Sequence, residues 1–264
     1  IPICRVFWCL FCSFNPKCIF YSKRIGMKIS ILGVSRSGKT CYISAMSQIL
    51  KNCKFGQGFQ LSVKENDPDR QLVLDDNFMN MVTACRWPKN TGESSQYDFR
   101  LSIHDANETM QLPSLLMDDY RGGILTGLDK SDIKARNNFI ASLQETAVTL
   151  FLIDGVTLLN AMDELDKDPI HRGMVDPKDK LDARNQITIL ENIIHSSIGN
   201  NHIPPMMLVI TKSDVFVSET EYNNAIILIK QLLSELFCKG NQIFIGITKV
   251  SLGKNLGKGD DDSI

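Results

Sequence analysis

The stretch GVSRSGKT, residues 33–40, constrains the fold more than any other part of this 264-residue sequence. It follows a short apolar segment, Lys28–Leu32, and precedes Thr40–Leu50, in which apolar residues recur at helical spacing. Its two glycines let the backbone curl so that its N–H groups converge at a helix start, where the helix dipole favours negative charge. The stretch therefore predicts a phosphate-binding loop between a strand and a helix.

The side chains of this loop predict a nucleotide as the ligand. Lys39 would reach the β- and γ-phosphates, and the Thr40 hydroxyl would bind Mg²⁺. The alternative is a loop of glycine and serine that only caps a helix, and the full match to G-x-x-x-x-G-K-[ST] argues against it. The predicted nucleotide-binding residues of this stretch are Gly33, Ser35, Arg36, Ser37, Gly38, Lys39, Thr40 and Cys41.

From Met27 onward the sequence alternates strand-like and helix-like segments, which predicts an α/β fold. The predicted main strands are Lys28–Leu32, Gln96–His104, Met110–Met117, Val148–Ile153, Met206–Ile210 and Gln242–Ile247, with Phe59–Val63 as a small extra strand. The predicted helices are Thr40–Leu50, Asp67–Arg86, Ser131–Glu145, Pro177–Ser197 and Ser218–Phe237, and 163–180 is a charged loop. We therefore expect the three-layer sandwich of P-loop NTPases, with a mostly parallel six-stranded sheet and one antiparallel edge strand.

A second motif, Asp119-Tyr120-Arg121-Gly122, lies at the carboxyl end of the predicted Met110–Met117 strand. In D-x-x-G the carboxylate holds a magnesium water, and the glycine N–H senses the γ-phosphate. Asp119 and Gly122 are the predicted residues for these two roles, and Asp118 competes for the first. An acidic turn at a strand end is the alternative reading.

The loop at residues 87–92, WPKNTG, separates the first motif from the predicted hairpin. A threonine in such a loop can close over Mg²⁺ when a γ-phosphate is present. Thr91 is the predicted residue, with Thr83 second, and an ordinary proline- and glycine-containing loop is the alternative. The predicted catalytic residues are Lys39, Thr91, Arg121 and Gly122, and the predicted metal ligands are Thr40, Thr91 and Asp119.

A third motif, Thr211-Lys212-Ser213-Asp214, follows the predicted Met206–Ile210 strand. In [NT]-K-x-D the carboxylate accepts hydrogen bonds from N1–H and N2–H₂ of guanine, and the lysine stem lies over the purine face. Adenine does not present that pair of donors, so Asp214 predicts a preference for guanine. Thr211 stands where Asn is commoner, and a solvated turn is the alternative.

Composition narrows the partners and the compartment. The net charge is −1, from 29 basic and 30 acidic residues, so no basic surface argues for nucleic acid or an anionic membrane. The eight cysteines have no regular spacing of a disulfide framework, which favours the reducing cytoplasm. No segment is long and apolar enough to span a bilayer.

The two ends of the sequence differ in character from the middle. We expect residues 1–26 to be a poorly structured or non-native extension, 27–251 to form the nucleotide-binding domain, and 252–264 to be a flexible tail. Cys9 and Cys12 form a CxxC, with Cys4 and Cys18 beside it, so a zinc site in this extension is an open alternative.

The motifs, in this order, resemble those of the translation-factor-related (TRAFAC) class of P-loop GTPases. The opening KISILGVSRSGKT, the long insertion before WPKNT and the segment DDYRGG look like the branch of bacterial double-GTPase proteins. The resemblance implies a GTPase sheet, GTP or GDP with Mg²⁺ as cofactors, a regulatory or conflict-system role, and a protein effector or second GTPase as partner. It also places Ser251 in the loop that contacts the base.

One departure from the resemblance concerns the rate of GTP hydrolysis. Many small GTPases have a catalytic Gln just after D-x-x-G, and this sequence has Gly123 and then Ile124. Slow intrinsic hydrolysis is therefore expected. Two alternatives stay open: a P-loop ATPase or kinase, and a nucleotide-binding module without turnover.

Overall fold

The chain alternates strands and helices from Met27 onward. The computed structural model describes residues 26–33, 37–51, 53–55, 59–84, 86–88, 94–104, 109–120, 141–142, 145–166, 204–233 and 244–251. These residues cluster into two compact units. The first unit contains the described residues of 26–29 and 39–119, and the second contains those of 30–38 and 120–251.

The described strands are β1 (Met27–Leu32), β2 (Cys53–Phe55), β3 (Phe59–Glu65), β4 (Ser95–His104), β5 (Thr109–Gln111), β6 (Leu115–Asp119), β7 (Val148–Asp154), β8 (Met206–Thr211) and β9 (Ile245–Lys249). The described helices are α1 (Lys39–Leu50), α2 (Pro68–Thr83), α3 (Gly155–Asp166) and α4 (Glu219–Leu232), and a 3₁₀ turn spans Ser213–Val215. β1 belongs to the first unit by its first three residues and to the second by its last three.

The first unit is built on antiparallel strands. Its strand order is β2-β3-β4-β6-β1, and β5 also pairs with β4. β4 is antiparallel to β3, β5 and β6, with Tyr97 opposite Met117 and Ser95 opposite Asp119. Because paired residues share a face, this register sets the Asp119 side chain on the same face as Tyr97 and Met117.

Helices α1 and α2 pack together in the first unit. Asp67 caps α2 by accepting hydrogen bonds from the backbone of Asp69 and Arg70, and Pro68 occupies the first turn, where no intrahelical donor is lost. Asp75 of α2 binds the Lys51 ammonium at 2.7 and 2.9 Å, just beyond the end of α1. These contacts hold α1, the helix that starts at Lys39, in place.

The second unit is built on parallel strands. β7 pairs with β8 and β8 with β9, all in parallel, and every residue of β7 and β8 is buried. Burial on both faces explains why both strands are mostly apolar in sequence. Ser218 caps α4 by accepting from Glu221 N–H at 3.2 Å, and α4 places Tyr222, Ala225 and Ile229 in the core.

The predicted mixed α/β fold, mostly parallel with an antiparallel edge, is confirmed. All six predicted main strands are present, but the described strands number nine and not six, because β2, β3 and β5 are added on the antiparallel side. The segment Met110–Met117 is two strands instead of one, because Pro113 has no N–H to donate to a ladder. The last strand reaches Lys249, two residues beyond its predicted end.

Sequence reasoning missed α3. It begins at Gly155, just after the predicted strand, and reaches Asp166, so residues 163–166 are helical where a charged loop was predicted. Asp154 caps the helix by accepting the Val156 N–H at 2.9 Å. The predicted helix Pro177–Ser197, most of Ser131–Glu145, and both terminal segments lie outside the described residues. Among the helices that the structure describes, none is long and apolar enough to cross a membrane.

Candidate nucleotide-binding site

The two glycines of the GVSRSGKT loop hold backbone conformations that side chains rarely adopt. Gly33 has φ +152° and Gly38 has φ +86°. A Cβ at Gly33 would lie 2.7 Å from the Leu152 carbonyl oxygen, so this position has no room for a side chain. The Ser37 hydroxyl is buried and makes no hydrogen bond to any described residue. At the two described glycines the backbone therefore has the conformations that such a loop needs, and Ser37 keeps a buried polar atom that no described partner satisfies.

The first unit contains a polar cluster where α1 begins, formed by Lys39, Thr40 and Asp119. Lys39 opens α1 and is buried, and burial lowers the pKa of its ammonium while the charge of Asp119 raises it. Burial raises the pKa of the Asp119 carboxyl to about 6, and the Lys39 charge and the Thr40 side chain lower it by less. A buried cation and a buried carboxylate thus face each other where α1 begins and β6 ends.

Asp118 and Asp119 are adjacent carboxylates with different surroundings. Asp118 pairs with the Lys28 ammonium at 3.3 Å and accepts a hydrogen bond from Gln96 at 2.7 Å. Both carboxylate oxygens of Asp119 are buried, and within the described part of the chain neither has a hydrogen-bond partner of normal geometry. The Thr40 side chain lies close enough to Asp119 to lower the pKa of its carboxyl. Of the two, Asp119 is the carboxylate with unmet bonding capacity.

This group has the chemistry of a magnesium site. Mg²⁺ takes oxygen ligands, and proteins bind it through one or two carboxylates together with the phosphates of a substrate. Asp119 supplies two buried carboxylate oxygens without described partners, and Thr40 supplies a hydroxyl at the start of α1. The residues present fit a magnesium ion. No cluster of three or more His, Cys, Asp or Glu side chains occurs among the described residues.

In the second unit, Thr211 joins the TKSD motif to the phosphate loop. Its hydroxyl points at two backbone carbonyls, those of Ser37 at 2.9 Å and Ile153 at 3.2 Å. Thr211 ends β8, and a Cβ added at Gly38 would lie 3.9 Å from the Thr211 Cβ, so the loop backbone packs against this side chain. The hydrogen bond from Thr211 to Ser37 joins residues that are 174 positions apart in the sequence. The two motifs are therefore neighbours in the fold.

The remaining residues of the TKSD motif are held by other side chains. The Asp214 carboxylate accepts a hydrogen bond from the Ser251 hydroxyl at 2.6 Å, and its two oxygens have further lone pairs that can accept from other donors. Lys212 has a left-handed backbone, φ 50°, and its ammonium lies 2.6 Å from Asp154. The Ser213 N–H donates to the Val250 carbonyl at 3.1 Å and ties the turn to the end of β9.

Asp154 is the residue of this cluster that sequence reasoning missed. Its carboxylate is buried at the end of β7 and contacts both Lys212 and the first turn of α3. The available signal was an acidic residue at the carboxyl end of an apolar strand, because such ends meet at one edge of a parallel sheet. Nothing in the sequence, however, indicated which lysine it would meet 58 residues away.

The other predicted site residues are placed only in part. Cys41 is half-buried in the first turn of α1, and Thr83 is exposed in the last turn of α2. The predicted residues Ser35, Arg36, Thr91, Arg121 and Gly122, together with Gly123, lie outside the described residues.

Comparison with known proteins gives structural likenesses only. No protein-family model matches the sequence, and no curated protein does. The signal recognition particle receptor in an SRb-GTP/SRX complex from Chaetomium thermophilum is 12% identical, with 90% of this chain and 94% of that chain covered and a TM-score of 0.45.

Two further solved structures are similar at this level. The ADP-ribosylation-factor-like GTP-binding protein, small COPII coat GTPase SAR1, from Encephalitozoon cuniculi in complex with GDP is 12% identical, with coverage of 88% and 72% and a TM-score of 0.37. Era from Aquifex aeolicus, bound to GDP.AlF4-, is 18% identical, with coverage of 87% and 52% and a TM-score of 0.35. At TM-scores below 0.5 these likenesses carry no weight, and the assignment of function rests on the geometry of the site.

Proposed function

We propose that this protein is a Mg²⁺-dependent guanine-nucleotide switch that hydrolyses GTP slowly. The observation that carries the proposal is the hydrogen bond from the Thr211 hydroxyl to the Ser37 carbonyl at 2.9 Å. A phosphate-binding loop is one motif and a guanine-selecting turn is another, and this bond makes them neighbours inside one compact unit. Their contact is what a site for a single nucleotide requires.

We assign binding of the phosphates to the loop and to Lys39. Backbone N–H groups of the loop and the N-terminus of α1 favour negative charge, and Gly33 and Gly38 supply the conformations that bring the backbone close. Lys39 is buried where α1 begins, so its ammonium meets an anion with little competition from water. Among the residues outside the described part, Ser35 and Arg36 complete this set by sequence.

We assign coordination of the metal to Thr40 and Asp119. When bound, Mg²⁺ would neutralise charge on the β- and γ-phosphate oxygens. Asp119 keeps a buried carboxylate with two oxygens lacking described partners, and Thr40 offers its hydroxyl from α1. Thr91 is the predicted additional ligand from its loop. Gly122 is the predicted donor to the γ-phosphate.

We assign recognition of the base to Asp214, which Ser251 supports. Guanine presents N1–H and N2–H₂ on one edge, and a carboxylate can accept both. Because the Ser251 hydroxyl already holds one oxygen of Asp214 at 2.6 Å, the carboxylate is fixed before a base arrives. Lys212 belongs to the same turn and supplies the stem that lies over the purine.

Turnover and cellular role are inferred from sequence. Gly123 and Ile124 stand where a water-positioning Gln is common, so hydrolysis is slow until a protein effector or a second GTPase supplies the missing group. Arg36 and Arg121 are the cis candidates for stabilising charge. Such a switch belongs with the TRAFAC class and its double-GTPase branch, and the cysteine pattern favours the cytoplasm.

A competition titration tests the proposal. GTP should displace a fluorescent GDP analogue at least tenfold better than ATP does, in Mg²⁺-containing buffer. Asp214→Asn should shift preference toward xanthine nucleotides, because the O2 of xanthine accepts a hydrogen bond where the N2 of guanine donates one.

The matched control is Asp76→Asn, an exposed carboxylate on α2, which should leave base preference unchanged. If ATP competes as well as GTP, the site is that of an ATPase or kinase. If neither nucleotide binds, the proposal is wrong.

A further inference from the structure

The dipeptide Asp154-Gly155 lies between β7 and α3 and contacts the TKSD turn at two points. Asp154 is more than nine-tenths buried. One of its carboxylate oxygens accepts the Val156 N–H at 2.9 Å, and the other accepts the Lys212 ammonium at 2.6 Å. A single carboxylate therefore caps α3 and binds the lysine of the turn.

Gly155 allows the backbone of the turn to come close. A Cβ at this position would lie 2.6 Å from the Thr211 carbonyl oxygen and 3.1 Å from that of Lys212. Lys212 itself has the left-handed conformation, φ 50°, the one such residue other than glycine in the described part of the chain. Its carbonyl also accepts the Val215 N–H at 3.2 Å. The backbone of Lys212 is thus fixed by its neighbours.

Lys212 is consequently held at both ends. Its backbone is fixed by the turn, and its ammonium is fixed by Asp154, while 46% of its side chain stays exposed. A lysine with an unattached ammonium samples many rotamers, and binding a ligand against its stem would remove that freedom. A stem that is anchored at both ends has already lost it.

We propose that Asp154 is a positioning residue for base recognition, which fixes the Lys212 stem as a preformed platform for the purine. This inference rests on the proposed guanine-nucleotide function. It implies that Asp154 acts on the base and not on the phosphates, because the ammonium of Lys212 is engaged by Asp154. The effect of removing Asp154 should therefore be equal for GDP and GTP.

The substitution Asp154→Asn separates this role from helix capping. Asn caps helices about as well as Asp does, but it carries no charge to hold an ammonium. In the full chain we expect the Kd for GDP and for GTP to rise by the same factor, about threefold to tenfold, with the melting temperature nearly unchanged. Asp154→Ala removes the cap as well and should also lower the melting temperature.

A second substitution tests whether Asp154 acts through Lys212. Lys212→Met keeps an unbranched stem without the ammonium, and adding Asp154→Asn to it should change the Kd by less than about twofold, because the partner of Asp154 is already gone. The matched control is Glu219→Gln, which breaks the Lys249–Glu219 ion pair of 2.9 Å elsewhere in the same unit and should leave the Kd unchanged.

Titration of the wild type and these variants with a fluorescent GDP analogue, and competition by GTP, give the answer. An Asp154→Asn variant that binds as tightly as wild type overturns the inference and leaves the proposed function standing. The inference is also overturned if Asp154→Asn lowers the affinity by the same factor in the wild type and in the Lys212→Met variant. A wild-type protein that binds no guanine nucleotide overturns both.

Discussion

Asp119→Asn should make the stability of the nucleotide-free protein, relative to that of the wild type, increase with pH, and it should abolish the response to Mg²⁺. Asp119 is buried with two carboxylate oxygens that lack described partners, and its pKa is raised to about 6. A carboxyl whose pKa is higher in the folded state than in the unfolded state destabilises the fold when it ionises. Asn removes that charge at nearly constant volume.

The size of the effect follows from the pKa. A rise from 3.8 to about 6 corresponds to about 3 kcal/mol at a pH well above both values. The wild type therefore loses stability as the pH rises through the window from about 4 to 6, and the variant does not. The Asn amide introduces a buried donor that costs about 1 to 3 kcal/mol, and the buried Lys39 ammonium loses the charge that faces it, so the sign of the difference at a single pH does not test the reasoning.

The pH dependence of the difference is accordingly the quantity to measure. Between about pH 4.5 and pH 7.5 the stability of the variant relative to wild type should increase by about 2 kcal/mol. For a protein of this size that is about 4 to 8 °C in relative melting temperature. Thermal unfolding should be followed by circular dichroism with a chelator and no nucleotide. A difference that stays constant across this range would refute the reasoning.

Two controls accompany this measurement. Asp118→Asn should lower the melting temperature at neutral pH, because that carboxylate pairs with Lys28 and accepts a hydrogen bond from Gln96. Addition of Mg²⁺ and GTP should stabilise the wild type more than the Asp119→Asn variant, since a ligand at about 100 times its Kd stabilises the wild type by about 2.7 kcal/mol. Stabilisation of the Asp119→Asn variant by the same amount would show that Asp119 is not a ligand of the metal.

Three further predictions concern the phosphate loop and turnover. Lys39→Ala should weaken GTP binding more than tenfold, because it removes a charge-assisted contact worth about 1.5 to 3 kcal/mol, and unchanged affinity in a titration would contradict this. Gly33→Ala should lower the melting temperature, since its Cβ would lie 2.7 Å from the Leu152 carbonyl, and an unchanged unfolding curve would argue against that packing. Single-turnover GTP hydrolysis by the wild type should be slow and should accelerate with protein concentration or a partner, whereas fast, concentration-independent turnover would show that no group is missing.

The parts of the fold that the sequence predicted correctly are those with local rules. These parts are the strand and the helix on either side of residues 33–38, the buried strands β7 and β8, and the start of α4 after Ser218. Each depends on residues close together in the chain. The break at Pro113 also has a local cause, but the apolar residues on both sides concealed it. α3 was missed because Gly155 at its first position is a residue that usually ends an element.

The parts of the site that the sequence could not give depend on contacts between distant segments. Asp118 and Asp119 point to opposite faces of β6, and both are buried, so alternation alone could not decide which one faces α1. Only their partners distinguish them. The pairing of Asp154 with Lys212 joins the ends of two neighbouring parallel strands. The order of strands in a sheet cannot be predicted from either segment alone.

The described residues divide into those satisfied by the protein and those left for a ligand. Thr211, Lys212 and Asp214, the residues on the base side, have protein partners at 2.6 to 2.9 Å. Ser37 and Asp119, on the phosphate and metal side, keep buried oxygens without described partners. Under the proposed function, recognition of the base therefore needs little rearrangement, whereas Ser37 and Asp119 gain partners for their buried oxygens only when the phosphates and the metal bind.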